Sequence, residues 1–258
     1  MSQTLDLLLA QLLKERGETL PPVPEEQKPD LFRALCNVRP PMPVSEEFLR
    51  LQDEYLSERT KKRGIVDVNT FPYRDGIALW RGDITRLNAD AIVNACNCAL
   101  LGCFYPLHNC IDNVIHSAAG VQVRLDCNAM MQGREEPNGH VRVTKAYNLP
   151  SRYIFHTVGP IVQGRVTAEN RRDLENCYLS CLNKAAEMGL QTLAFCCIST
   201  GEYRYPKAEA CTLAVQTVKT WKRAGNPLKV IFNVYLKEDE DLYERELGEE
   251  AHETPRMA

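Results

Sequence analysis

No stretch of this chain approaches the roughly 20 consecutive apolar residues of a membrane-spanning helix, so no membrane role is expected. Basic charge is not in excess either. The sequence has 31 lysines and arginines against 34 aspartates and glutamates, a formal net charge of -3 at pH 7. That excludes broad electrostatic binding to nucleic acid, which needs a basic face. It still allows a small anion held by backbone N–H groups, because those carry no formal charge. No Gly-x-Ser-x-Gly elbow occurs, so a serine hydrolase has no support. No internal repeat and no low-complexity segment is present. The first residues, MSQTLDLLLAQLLKERG, lack the basic segment and the small-residue cleavage site of a secretory signal, and none is expected.

Cysteine, by contrast, is plentiful, with 11 residues. An odd count without a secretory signal reads as reduced thiols in a cytoplasmic setting, with metal ligation open to some of them. Apolar residues make up 44% of 258 residues. That is enough for a packed core in one large domain, or in one domain plus an extension.

Residues 1–75 differ from the rest. Leu5, Leu8, Leu9, Leu12 and Leu13 form a helical stripe closed by Gly17 and the prolines at 21, 22 and 24. A second short helix is predicted from Pro29 to Val38. A third starts near Ser45, with Glu46 and Glu47 in its first turn, and ends at Lys61, Lys62, Arg63 and Gly64. This segment reads as a helical extension packed on a main domain spanning 76–236. Within that domain, short apolar runs predict strands at Ile77–Trp80, Ala91–Asn94, Val141–Tyr147, Tyr153–His156, Leu193–Ile198 and Val230–Tyr235. Helical periodicity covers Ala168–Glu187, Pro206–Lys222 and Asp112–Ala119. Interleaved strands and helices predict a three-layer α/β/α domain with a mixed sheet, and ligands at the carboxyl ends of its strands. Residues 237–258 read as an acidic helix and tail.

Three segments fall at predicted strand ends. In Gly82-Asp83-Ile84-Thr85 the carboxylate can accept from an exocyclic amine such as that of adenine, or the segment is an ordinary Gly-Asp turn. Asn94 and Asn97 offer uncharged donors and acceptors to a sugar with vicinal hydroxyls, or simply form a turn. Ser199-Thr200-Gly201-Glu202-Tyr203 precedes a helix. It is either a phosphate cradle of backbone N–H groups or a plain connecting loop.

The densest chemistry lies in Gly102–Asp112, where Cys103, His108 and Cys110 fall within eight residues. Two thiols and an imidazole suit zinc, and three protein ligands leave an open position, as catalytic zinc requires. The alternative is two small buried hydrophobes beside a surface histidine. Iron or another borderline metal stays open. Cys177 and Cys181 sit on an apolar stripe and read as core. Cys196 and Cys197 adjoin in a strand, so they would face opposite ways. His116 reads as core, and His140 and His156 show no evident partner.

Taken in order, these segments resemble the macrodomain family over about residues 76–235. The match rests on Gly82-Asp83-Ile84-Thr85, Asp90 to Asn97, Asp112 to Gly120, His156-Thr157-Val158-Gly159-Pro160 and Ile198-Ser199-Thr200-Gly201. The glycine run usual before Asp112 is replaced by the Cys/His insert. That replacement resembles the zinc-containing branch, which also carries an N-terminal helical extension.

The resemblance implies Zn2+ on Cys103, His108 and Cys110, and a hydrolase that removes mono-ADP-ribose from modified proteins. It implies adenine held by Asp83 and Ile84, ribose hydroxyls by Asn94 and Asn97, and diphosphate by Ser199, Thr200, Gly201 and Glu202. Tyr203 would pack on the distal ribose, with Asn97 and Asp112 as catalytic residues. A sirtuin-type ADP-ribosyltransferase would be the opposing enzyme. An ADP-ribose reader, a deacetylase of acetylated ADP-ribose and a zinc-stapled interaction protein stay open as alternatives.

Overall fold

The computed structural model describes residues 2–248. The chain opens with three helices, α1 (Ser2–Glu15), α2 (Lys28–Val38) and α3 (Glu46–Arg63). The leucine stripe makes α1 a docking face, because residues three and four apart share one side of a helix. Leu5, Leu8, Leu9, Leu12 and Leu13 are all buried, against Phe32 and Leu35 of α2 and Leu51, Tyr55 and Leu56 of α3. The predicted cap of α3 is present. Ser45 Oγ accepts from the Phe48 N–H at 3.1 Å, and Gly64 ends the helix with φ 80°. Arg39 locks the chain leaving α2 onto α1 through two bonds to Glu15, at 2.7 and 2.9 Å.

Six strands follow: β1 (Ile77–Arg81), β2 (Ala91–Ala95), β3 (Val141–Lys145), β4 (Tyr153–Thr157), β5 (Thr192–Phe195) and β6 (Lys229–Val234). They form one sheet in the order β1-β6-β5-β2-β4-β3. All neighbours are parallel except β3, which runs antiparallel to β4 at the edge. Helices α4 (Ile111–Ala119) and α5 (Val121–Met131) cover one face. Helices α6 (Ala168–Glu187), α7 (Lys207–Arg223) and α8 (Lys237–Gly248) cover the other. Cover on both sides is why β2, β5 and β6 are buried almost continuously rather than at alternate residues.

The extension packs outside α4 and α5, so the molecule has a second hydrophobic cluster beside its main core. Val121 of α5 enters that second cluster. Polar contacts finish the joint. Gln52 accepts the Val121 N–H at 2.9 Å and donates to Gln122 at 2.7 Å, while Asp53 accepts from Gln122 and Asn148 at 2.9 and 2.7 Å.

Several expectations need correction. Helix α5 is absent from the sequence reading, because Gln122 and Arg124 are buried there beside apolar residues and blur the periodicity. Strand β5 stops at Phe195, so Cys196 and Cys197 lie in the loop beyond it, and strand alternation does not govern them. Strand β3 stops at Lys145, and Tyr147 takes a left-handed φ of 51°. Cys177 and Cys181 are fully buried core residues, as expected. Helix α8 accounts for the start of the acidic tail, and residues 249–258 lie outside the described residues. Among the described residues, no helix is long and apolar enough to cross a membrane.

Candidate active site

Five parallel strands bring their carboxyl ends to one side of the sheet. The loops leaving β1, β2, β4, β5 and β6 surround a cleft of about 1100 Å³. Asp83 and Ile84 enter it from the first loop, Asn97 from the second and Gly159 from the fourth strand. Ser199 to Tyr203 line it from the loop after β5, and Tyr235 from the end of β6. The amino end of α4 adds Asp112, and the loop before α4 adds Cys103, His108 and Cys110. Nearly every residue singled out from the sequence therefore meets here.

Asn94 is the exception. It is wholly buried in β2 and does not line the cleft. Its Nδ2 lies 2.8 Å from Asp112 Oδ1 and 3.2 Å from His156 Nδ1. Asn94 supports Asp112 from below, and the expected contact with ribose hydroxyls is not what this geometry provides. His156 likewise has partners after all, since its Nε2 lies 2.9 Å from Thr144 Oγ1. His140, on the surface, sits 3.4 Å from Glu136. His116 is buried as expected, 3.4 Å from Asp112, with no hydrogen bond to either ring nitrogen from protein.

Burial raises the Asp112 carboxyl to about 6, against the pull of the Asn94 donor and the more distant Arg124. A carboxylate poised near neutral pH suits proton transfer. Asn97 holds its own loop, accepting from the Ala99 N–H at 3.1 Å and donating to the Gly102 carbonyl at 3.2 Å. Asp83 Oδ1 takes both the N–H and the hydroxyl of Thr85, at 3.0 and 2.6 Å. Its Oδ2 pairs with Arg63 of the extension.

The loop after β5 turns tightly. Ser199 adopts φ 64°, and the chain returns through a bond from the Tyr205 N–H to the Ser199 carbonyl at 2.9 Å. Burial pushes the Tyr203 phenol up to about 12, so it stays a donor, 3.5 Å from the Cys96 carbonyl.

The Sγ atoms of Cys103 and Cys110 and one ring nitrogen of His108 all lie within 4.8 Å of one another. His108 Nδ1 faces Cys103 Sγ at 3.6 Å, and its Nε2 faces the Glu202 carboxylate at 3.5 Å. Metal-bound imidazoles commonly turn their second nitrogen to a carboxylate in this way. The donor set and its convergence fit a borderline metal such as zinc.

Residues 93–214 match the Macro domain family. A protein-ADP-ribose hydrolase of Treponema medium is 47% identical over 250 residues, spanning 92% of this chain and 95% of that protein. The chain belongs to the macrodomain family. A protein-ADP-ribose hydrolase of Staphylococcus aureus (strain MRSA252) is 43% identical over 256 residues, 96% of each chain, so that match includes the N-terminal helices. The solved Trypanosoma brucei macrodomain in complex with ADP-ribose superposes with a TM-score of 0.66 at 29% identity, covering 83% of this chain and 95% of that one.

Two further features of this macrodomain carry predictions. A Cβ on Gly159 would stand 2.1 Å from Ser199 Oγ and 2.8 Å from Ile198 Cγ2. Only glycine lets the β4 and β5 loops approach this closely. Gly159→Ala is expected to cost about 1–3 kcal/mol of stability through overpacking and to weaken ADP-ribose binding roughly tenfold, about 1.4 kcal/mol. Calorimetric titration beside a melting curve checks it, and unchanged affinity would separate the two loops from ligand binding.

The second concerns acid. Burial holds His156 down to about 3 and His116 well below its ordinary 6.5. As pH falls below about 6.5 the unfolded chain takes up both protons and the folded one does not, so stability falls. Asp112, raised from 3.8 to about 6, acts in the opposite sense between those values, because there the folded state holds the extra proton. Two histidines against one carboxylate leave a net loss of about 1.4 kcal/mol per pH unit on acidification. Denaturant unfolding at pH 7 and pH 5 measures it, and equal stability at both would contradict buried neutral imidazoles.

Proposed function

We propose that this macrodomain is a protein-ADP-ribose hydrolase, holding ADP-ribose across the strand ends and cleaving it from a modified protein. The observation that carries the reading is that a buried carboxylate raised to about 6, the Cys103–His108–Cys110 cluster and the Ser199–Tyr203 loop all line one cleft. The names of the relatives support it.

Asp83 accepts the adenine amine. A carboxylate offers about four acceptor positions; Thr85 takes two on Oδ1 and Arg63 takes one on Oδ2, so one position is left for the amine. Ile84, buried beside it, closes the apolar side of the pocket. Backbone N–H groups of Ser199 to Glu202 hold the diphosphate. Tyr203 packs on the distal ribose, and Asn97 holds its hydroxyls. Asp112 takes a proton from the attacking water, with Asn94 fixing the carboxylate from below. Cys103, His108 and Cys110 would hold a zinc ion, which supplies Lewis acidity beside that ribose.

The test is release of free ADP-ribose from a panel of mono-ADP-ribosylated proteins, with and without a zinc chelator. Release that stops on chelation and returns with zinc is expected. Tight ADP-ribose binding without any release would make the protein a reader.

A further inference from the structure

The segment that carries the thiol–imidazole cluster has neither helix nor strand to hold it, since Cys103 to Cys110 lie between β2 and α4. A loop of this kind pays an ordering cost when it folds around a metal, unless something else has already fixed it. Leu107 is also left-handed, with φ 57°, a conformation that costs a branched L residue about 1–2 kcal/mol. Yet the three donor atoms already converge. We propose that α2 of the N-terminal extension is a clamp that preforms the metal-binding loop, with Arg33 and Asn37 as its positioning residues. This rests on the metal reading above.

Arg33 and Asn37 are four residues apart, so both face α4 from one side of α2. Arg33 Nη2 donates to the His108 carbonyl at 2.6 Å and to Asn113 Oδ1 at 2.8 Å. Asn113 in turn donates to the Tyr105 carbonyl at 2.9 Å. Asn37 is buried, accepts the Leu107 N–H at 3.0 Å and donates to Ser117 Oγ at 3.0 Å. The strained residue and the histidine ligand beside it are therefore gripped through their main chain by one helix. A second anchor holds the start of the loop. Arg124 of α5 donates to the Leu101 carbonyl at 2.6 Å and lies 4.3 Å over the Phe104 ring. The same guanidinium donates to the Cys36 carbonyl of α2 at 2.8 Å. The extension and the loop thus share partners at both ends of the insert.

None of these groups reaches a ligand atom. They hold the loop through its main chain, and the Arg33 charge also acts on the Cys110 thiol, so Asn37 is the cleaner probe of position while the donor set stays intact. Outer partners of this kind typically govern 10–100-fold of metal affinity.

The experiment uses the full chain loaded with one equivalent of zinc and mixed with excess chromogenic chelator, with melting of the metal-free protein as control. Asn37→Leu removes the acceptor for the Leu107 N–H, and Asn37→Asp keeps it. Arg33→Met keeps the stem and removes the donors. Asn37→Leu and Arg33→Met are expected to lose zinc roughly 10–100-fold faster than wild type, with Asn37→Asp holding zinc longer than Asn37→Leu although both lower the melting point of the metal-free protein, since each disturbs a buried polar contact. If Asn37→Leu does not fold, Arg33→Met is read beside Arg33→Lys, which keeps the charge near Cys110 and loses the forked donors, and fast zinc loss in both is expected of a clamp. Wild-type release rates in both would overturn the clamp while leaving the metal reading in place. Equal losses in Asn37→Leu and Asn37→Asp would also overturn it, since the Leu107 contact would then be irrelevant. A wild-type chain that takes up no zinc would overturn the metal reading, and the clamp with it.

Discussion

Asp112→Asn is expected to lower kcat by roughly 10²–10⁴-fold, the range of a positioned acid–base group, with KM and melting temperature nearly unchanged. The substitution keeps the shape of the side chain and its place above Asn94. Asn94 Nδ2 still finds an oxygen to donate to, because the amide can turn its oxygen to the position Asp112 Oδ1 now occupies. Burial already raises the Asp112 carboxyl to about 6, so a neutral side chain is no worse placed in that setting. What disappears is the group that accepts a proton. A fall in kcat at constant KM identifies an interaction made in the transition state and not in the ground state. Steady-state release of ADP-ribose, run beside a melting curve, separates this from misfolding. Turnover near the wild-type rate in a folded variant would remove Asp112 from the proton-transfer role.

The expectation depends on a support that the sequence did not reveal. Asparagine at a strand end suits a sugar, so the sequence predicts a ribose contact for Asn94. Which face of β2 it occupies is decided by the pairing of Asn94 with His156 across β2 and β4, and that register is not written in either segment alone. His156, apparently without a partner in the sequence, is the other half of the same support. The arginines of the extension show the same limit. Arg63 reads as a C-terminal helix charge, yet it pairs with Asp83 in the cleft, and Arg33 carries no local signal at all. Their roles come from docking between segments about 20 and 75 residues apart in sequence.

Features set by local spacing were legible. Helix α6 has the predicted bounds, Ala168 to Glu187, because its apolar residues repeat at three and four and Thr167 caps it through Asn170. The thiol–imidazole cluster was readable for a related reason: its members are five and two residues apart, so a single loop brings them together whatever the rest of the fold does.

That local origin makes the second large prediction a clean one. His108→Ala is expected to abolish stoichiometric zinc binding and to lower turnover by roughly 10²–10³-fold, the loss of several kcal/mol of charge stabilisation. ADP-ribose affinity should change little. His108 meets the diphosphate loop through the Glu202 carboxylate, whereas the backbone N–H groups of Ser199 to Glu202 would hold the anion, so the substitution leaves those donors in place. Cys103→Ser should follow the same pattern, because a serine hydroxyl is a poor substitute for a thiolate ligand. Metal content by elemental analysis, ADP-ribose titration by calorimetry and release from a modified protein together give three readouts. Loss of metal and turnover with binding retained would match chelator-treated wild type and place the metal in the chemical step. Loss of metal with turnover retained would reduce the cluster to a loop staple, and Asp112 with Asn97 would then have to account for the whole rate.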